Sequence, residues 1–337
     1  MTDWVDVIVR ARGLSTHILS PARCAALCDS RSIGDLAVQM AGLGLIGAPA
    51  AGSPADERAL ELALRRRAGA RLQLLADWAG ARREFIAPVF DDEDRRAIRA
   101  LVRGAIARVA PALRTAGLVP TPSLPIRALD ELAQAGDVAT VASLLLAWRH
   151  PFAHVVDTEA RRQQPDTLEF EMAMVREFAS RARAAADAGD AALRFFVERT
   201  IDIENLQSAL ALSSQASDVP PGRLFVDGGT IMTIGDLASA REVGGAAGLA
   251  ARLATRVHDT PLDAMLNPGT RSAEDAALDA LVGEFRRRAR DAPLSLAPVV
   301  LFALRQRAEL RTLLRILWGV SLGVPRATVE RLAGVAA

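Results

Sequence analysis

A five-residue segment recurs three times, as Ile33-Gly34-Asp35-Leu36-Ala37, Leu129-Asp130-Glu131-Leu132-Ala133 and Ile234-Gly235-Asp236-Leu237-Ala238, with the copies 96 and 105 residues apart. Recurrence at near-equal intervals restricts a chain to repeated supersecondary units that bury their apolar faces on one another. Other features recur in step. Glu177-Phe178-Ala179-Ser180-Arg181-Ala182-Arg183 and Glu284-Phe285-Arg286-Arg287-Arg288-Ala289-Arg290 are identical at five of seven positions. Phe196 through Asn205 repeats the offsets of Phe85 through Asp94, from Phe to Asp and from Asp to Glu. Pro111, Pro220 and Pro325 follow Asp94, Asn205 and Glu309 at similar distances. The expectation is an all-α chain of three pseudo-symmetric helical repeats, over residues 1–118, 119–222 and 223–337. The segment ending at Pro21 takes the place of the last helix of a preceding unit, so the chain ends are expected to complete one another.

Composition agrees with helix. Half of the 337 residues are apolar, which gives material for a large core. Ala, Leu and Arg dominate, Tyr is absent and aromatic residues are 4%, a balance that favours helix over strand. A formal charge of +1 supplies no global field to recruit nucleic acid or an anionic membrane. The two cysteines, Cys24 and Cys28, cannot build a disulfide framework and fit a reducing compartment. The start lacks the basic-then-apolar build of a signal peptide, and Asp or Arg interrupts every long apolar run. A cytoplasmic chain without a membrane span is expected.

Local signals place the helices. Pro21 opens a short Ala/Cys/Leu helix after an N-terminal one. Past Pro54, Asp56 and Glu57 occupy the first turn of a long helix whose buried face carries Leu60, Leu64, Leu72 and Leu75. Phe85 through Asp94 reads as a boundary, with Asp91 and Asp94 capping a separate helix that carries Ile98, Leu101, Val102 and Ile106. Pro111 through Pro125 reads as a connector. A further long helix begins near Asp166. Asp35, Glu131 and Asp236 are assigned to helix first turns, where the backbone dipole favours acids.

Three stretches carry a resemblance to a known family. Arg10-Ala11-Arg12-Gly13-Leu14 with Leu19, Asp202-Ile203-Glu204-Asn205-Leu206, and Glu309 through Leu317 followed by Gly319, Gly323 and Pro325 resemble the C-type (AC39-like) subunit of V-type and archaeal-type ATPases, called d in eukaryotes. The resemblance covers essentially the whole chain. It implies a funnel-like all-α fold, no active site, and a place in the central stalk of a rotary ATPase. The implied partners are the central shaft, made of D/F-type subunits, and the membrane proteolipid (c/K) ring on its cytoplasmic face. Thr312-Leu313-Leu314 departs from the family's usual Asn-Leu-Arg, and Trp318 and Val320 flank Gly319 where a basic residue is common. Phe152 and Leu262 replace a usual Tyr.

Each chemical motif has a plainer reading. Gly42-Leu43-Gly44-Leu45-Ile46-Gly47 matches a dinucleotide fingerprint, but a helical segment precedes it where a strand is needed, so it reads as a loop. Asp91-Asp92-Glu93-Asp94 suggests an all-helical Mg2+-dependent diphosphate (prenyl-transfer) enzyme centred on Asp91 and Asp92; that chemistry needs a second acidic cluster, and none is apparent. His150 and His154 are separated by Pro151, and Cys24 and Cys28, which could face one way on a helix and bind metal with His17, read as two buried small residues. The runs Arg65-Arg66-Arg67 and Arg286-Arg287-Arg288 read as solvated faces or as a contact with a charged shaft helix. No phosphate-cradling Gly-Lys-Ser/Thr element occurs. The sequence therefore assigns no catalytic, cofactor-binding or metal-binding residue. A helical scaffold unconnected with ATPases is the blandest alternative.

Overall fold

A computed structural model of the protein describes residues 4–48, 56–187, 189–214, 219–243, 245–269 and 272–335. Among them every regular element is a helix. The frame consists of α1 (Glu57–Ala79), α2 (Arg83–Ile106), α3 (Thr167–Asp187), α4 (Ala191–Ser214), α5 (Ala273–Asp291) and α6 (Ala297–Ser321). Shorter helices fill the intervals between the pairs. No described helix is long and apolar enough to cross a membrane.

Helix α1 starts where its sequence says it should. The Asp56 carboxylate accepts the Arg58 amide, and Leu60, Leu64, Leu72 and Leu75 are buried along one face. It ends at Gly80, whose φ of +55° is open to glycine at little cost. Helix α2 then runs unbroken from Arg83 to Ile106 with Pro88 inside it. This corrects the expected boundary at Phe85–Asp94: the break lies at Gly80, and Asp91 through Asp94 sit mid-helix. Near Pro88, a single lost backbone donor is outweighed by burial of Ile86, Val89 and Phe90 on the same helix.

The repeated segment divides the same way. Ser32 and Thr233 cap the helices Ile33–Gly42 and Ile234–Ser239, with Asp35 and Asp236 in their first turns. The middle copy departs from the expectation. Its helix, Ile126–Gln134, begins directly after Pro125, so Glu131 falls in the second turn, where it is exposed. A proline cannot join the hydrogen-bond ladder from within, and here it fixes the start upstream of the repeat.

Packing brings distant parts of the chain together. Helix α2 lies on α3, α3 on α4, α5 on α6, and α6 on α1. Helix α4 meets α5 through Phe195 and Phe196 against Phe285, with ring centroids 5.8 and 6.3 Å apart. The N-terminal helix Val5–Ser15 packs on both α6 and α1. Arg12 donates to the carbonyls of Ala289 and Pro293 at 3.3 and 3.2 Å. Arg326 of the last helix, Arg326–Ala333, pairs with Asp29. The first and last described helices therefore share one neighbourhood around α6.

Candidate functional site

Where α2, α4 and α6 approach one another, the interior is charged rather than apolar. Asp92 of α2 is 1% exposed. Its Oδ1 accepts from Arg95 Nε and Nη2 at 3.1 and 2.7 Å, and its Oδ2 from Arg96 and Arg307 at 3.3 and 2.5 Å. Arg307, on α6, also donates to Glu93. Arg95 reaches Glu204 of α4 at 2.7 Å while stacked over the Phe178 ring, 4.9 Å from its centroid. Arg99 joins Glu204 at 3.2 Å to Glu171 of α3 at 2.9 Å. Buried charges persist when paired and multiply hydrogen-bonded, and these are.

The titration of these groups follows from their neighbours. Burial works to raise the Asp92 carboxyl, but Arg96, Arg307 and Arg95 together hold it well below the usual carboxylate range. For Glu204, burial is likewise outweighed by Arg95, Arg99 and Arg96, which bring it down to about 2. Asp91 is the exception: burial pushes it up to about 6 despite Arg181, whose Nε lies 3.2 Å away.

A second set of contacts ties each of these helices to the chain leading toward a copy of the repeated segment. Asp94 on α2 accepts from Thr121 and Ser123, and His150 Nε2 lies 3.2 Å from it. The Phe152 amide donates to His150 Nδ1 at 3.3 Å, so the imidazole proton sits on Nε2, facing Asp94. Asn205 on α4 brackets Val226, accepting its amide at 2.9 Å and donating to its carbonyl at 2.8 Å. One turn back, Asp202 accepts the amides of Thr230, Ile231 and Met232 at 2.9 to 3.2 Å. Glu309 on α6 accepts the Leu19 amide at 2.8 Å and pairs with Arg67 and Arg71 at 3.0 and 2.9 Å.

The residues singled out from sequence fall into place around this frame. Asp91 faces Arg181 and both oxygens of Asp92 accept guanidinium donors. Asp91 and Asp94 cap no helix of their own, because their partners lie on other elements. Among the described residues no group of three or more His, Cys, Asp or Glu is gathered to hold a metal ion. His150 is buried on Asp94, whereas the His154 side chain is 61% exposed beside Glu177. Cys24 and Cys28 are buried, and burial pushes their thiols up to about 12 and 11, far from the reactive thiolate.

Gly42 ends a helix, and Gly44, with φ of +67°, turns the chain back so that the Leu45 amide reaches the Met40 carbonyl at 2.9 Å. This is a helix C-terminus, and it offers no amide cradle for a phosphate. The loop beyond it, residues 49–55, lies outside the described residues. The solvated-face reading of Arg65-Arg66-Arg67 is corrected in part: Arg65 is 3% exposed and donates to the Leu118 carbonyl at 2.9 Å, and Arg67 serves Glu309. Arg286 and Arg287 are exposed, while Arg288 stacks on Phe195. The positions that depart from the family pattern are also used. Trp318 donates to Glu61 at 3.1 Å and Thr312 to the Ala333 carbonyl at 3.2 Å, and Phe152 and Leu262 are fully buried.

The family model of the ATP synthase (C/AC39) subunit matches residues 7–332. The chain belongs to this family. As an ATP synthase (C/AC39) subunit it is a V/A-type ATPase subunit of the C/d class, from a family of non-catalytic accessory subunits of an ion-transporting complex. An all-helical body is what this family predicts. No curated protein matches the chain significantly. Sequence reasoning missed the arginines that make the interior, Arg95, Arg96 and Arg307. The one signal for them was the spacing of Asp92 from Arg95 and Arg96, three and four residues along one helix face.

Proposed function

We propose that this protein is the central-stalk adaptor of a V/A-type rotary ATPase, coupling the central shaft of D/F-type subunits to the membrane proteolipid (c/K) ring during ATP-driven ion transport or ATP synthesis. The observation that carries the reading is the family match over nearly the entire chain. In this role the protein sits on the cytoplasmic face and has no active site of its own. A torque-bearing adaptor needs stiffness, and a close-packed interior resists compression. Support comes from ionic ties that join α2, α3, α4 and α6 across the middle of the molecule. The proposal includes three units, 1–118, 119–222 and 223–337. The equivalent placing of Asp94, Asn205 and Glu309, each holding the segment that leads to a repeat copy, supports that division.

The test is assembly. The complex is purified by a tag on the proteolipid ring, with and without this chain. The expected result is that shaft subunits co-purify only when the chain is present, and that ATP-driven ion uptake into vesicles is lost without it. Normal shaft retention and ion uptake in its absence would overturn the proposal.

A further inference from the structure

A cavity of about 400 Å³ opens beside the charged interior, between α2, α4, the start of α5 and α6. Five arginines line it, Arg96, Arg99, Arg103, Arg307 and Arg311, with three acids, Glu93, Glu204 and Glu274; Asp92, Glu171 and Asp275 beyond the lining pair with the same arginines. The acids are already engaged. Both oxygens of Glu204 are held, by Arg95 and Arg99; Glu93 accepts from Arg307, and Glu274 from Arg311 at 3.3 Å.

Donors are left over. Among the described residues Arg96 is hydrogen-bonded only through Nε, on Asp92 at 3.3 Å, with its side chain 26% exposed toward the cavity. Its two terminal nitrogens, and Nη1 of Arg307, meet no acceptor among the described residues. Burial, and then Arg307 and Arg96, lower Arg311 from its ordinary value, whereas at Arg96 burial is outweighed by Asp92, Glu204, Glu93 and Glu274, which raise it.

We infer that this cavity binds a small multivalent oxyanion of the phosphate or pyrophosphate class. Three free donors come from two guanidinium groups on different helices. A tetrahedral oxyanion offers oxygens in several directions and can take all three, whereas a planar carboxylate matches a single arginine fork. The inference is independent of the adaptor role, since it rests on the interior of the isolated chain.

The test is titration of the full-length chain with pyrophosphate at constant ionic strength, followed by calorimetry and by broadening of the 31P resonance. The expected result is saturable binding to a single site and a melting temperature that rises with ligand concentration. Arg96→Gln should weaken binding about tenfold or more, as for loss of a charge-assisted hydrogen bond, and Arg96→Lys should restore part of it. Arg286→Gln, on the exposed face of α5, should bind as the parent does. If Arg96→Gln fails to fold, Arg103→Gln at the rim, with its side chain 53% exposed, replaces it and should weaken binding several-fold. Absence of saturable binding to the folded parent chain overturns the inference. So does unchanged affinity in the folded variants, or acetate binding as tightly as pyrophosphate, which would mark the cavity as a carboxylate receptor for a protein partner.

Discussion

The Glu309 carboxylate accepts the backbone amide of Leu19 at 2.8 Å, joining residues 290 positions apart. The same carboxylate neutralises Arg67 and Arg71, and both arginines also donate to the His17 carbonyl, at 3.1 and 3.0 Å. One side chain, 2% exposed, thus gathers the N-terminal segment, α1 and α6. Glu309→Gln keeps the shape and removes the charge, leaving two guanidinium groups short of a counter-ion. Losing one partner of a buried pair costs about 3–5 kcal/mol. The urea midpoint should fall accordingly at constant slope; an unchanged midpoint would show that the N-terminal segment is held by apolar packing alone.

Asp92 and Arg307 should behave as members of one network. Asp92→Asn strands Arg96 and takes one of two counter-ions from Arg95 and Arg307, and Arg307→Gln strands Asp92 and Glu93 in part. Each variant should be destabilised, and the double variant less than the sum, with a coupling of roughly 0.5–3 kcal/mol. Because the pair is buried, added salt should leave this coupling nearly intact. The Arg82–Asp6 pair, whose Asp6 side chain is 49% exposed, provides the contrast, since salt screens exposed pairs. Strict additivity of the two substitutions would defeat the network description.

Helix content, the long helices α1 and α3 and the family were legible in the sequence because each leaves a local trace, whereas the sequence reads α2 as broken at Phe85–Asp94. Leu60, Leu64, Leu72 and Leu75 show a helical face without reference to anything else. The charged interior was not legible. An acid such as Asp94 looks like a helix cap because capping residues are short, polar and near a proline, and only the fold reveals that its partners are Thr121, Ser123 and His150. Likewise Arg65 reads as a surface charge until the Leu118 carbonyl is found beside it. Pairing across long sequence separations has no periodicity to betray it.

Gly229 is required by closeness to a carboxylate. A Cβ at that position would stand 2.2 Å from Asp202 Oδ1, the atom that accepts the Ile231 and Met232 amides. Gly229→Ala must displace either the loop or the carboxylate, and overpacking of this kind costs about 1–3 kcal/mol. The neighbouring amides of residues 230 to 232 should lose hydrogen-exchange protection. Combining it with Asp202→Ala, which clears the space, should add little further destabilisation. Full additivity would mean that the glycine serves some other contact.

Asp91 gives the protein an unusual response to acid. Its carboxyl is raised to about 6 from an ordinary 3.8, chiefly by burial. The folded chain therefore binds a proton before the unfolded chain does, and between those values stability must rise as pH falls. A shift of this size corresponds to about 3 kcal/mol at most, since one unit is 1.36 kcal/mol. Glu204 acts in the opposite sense: lowered to about 2 from 4.5, it contributes stability above 4.5 that is lost as pH falls further. Denaturant midpoints measured from neutral pH downward should accordingly climb through pH 6, pass a maximum near the ordinary carboxylate range, and then drop. Asp91→Asn is neutral at every pH and nearly isosteric. It should abolish the climb, keep the acid-side drop, and make the chain at pH 7 about as stable as the parent at pH 5, because the exposed-side partner Arg181 contributes little. A variant that still gains stability between neutral pH and the maximum would assign the proton to another group.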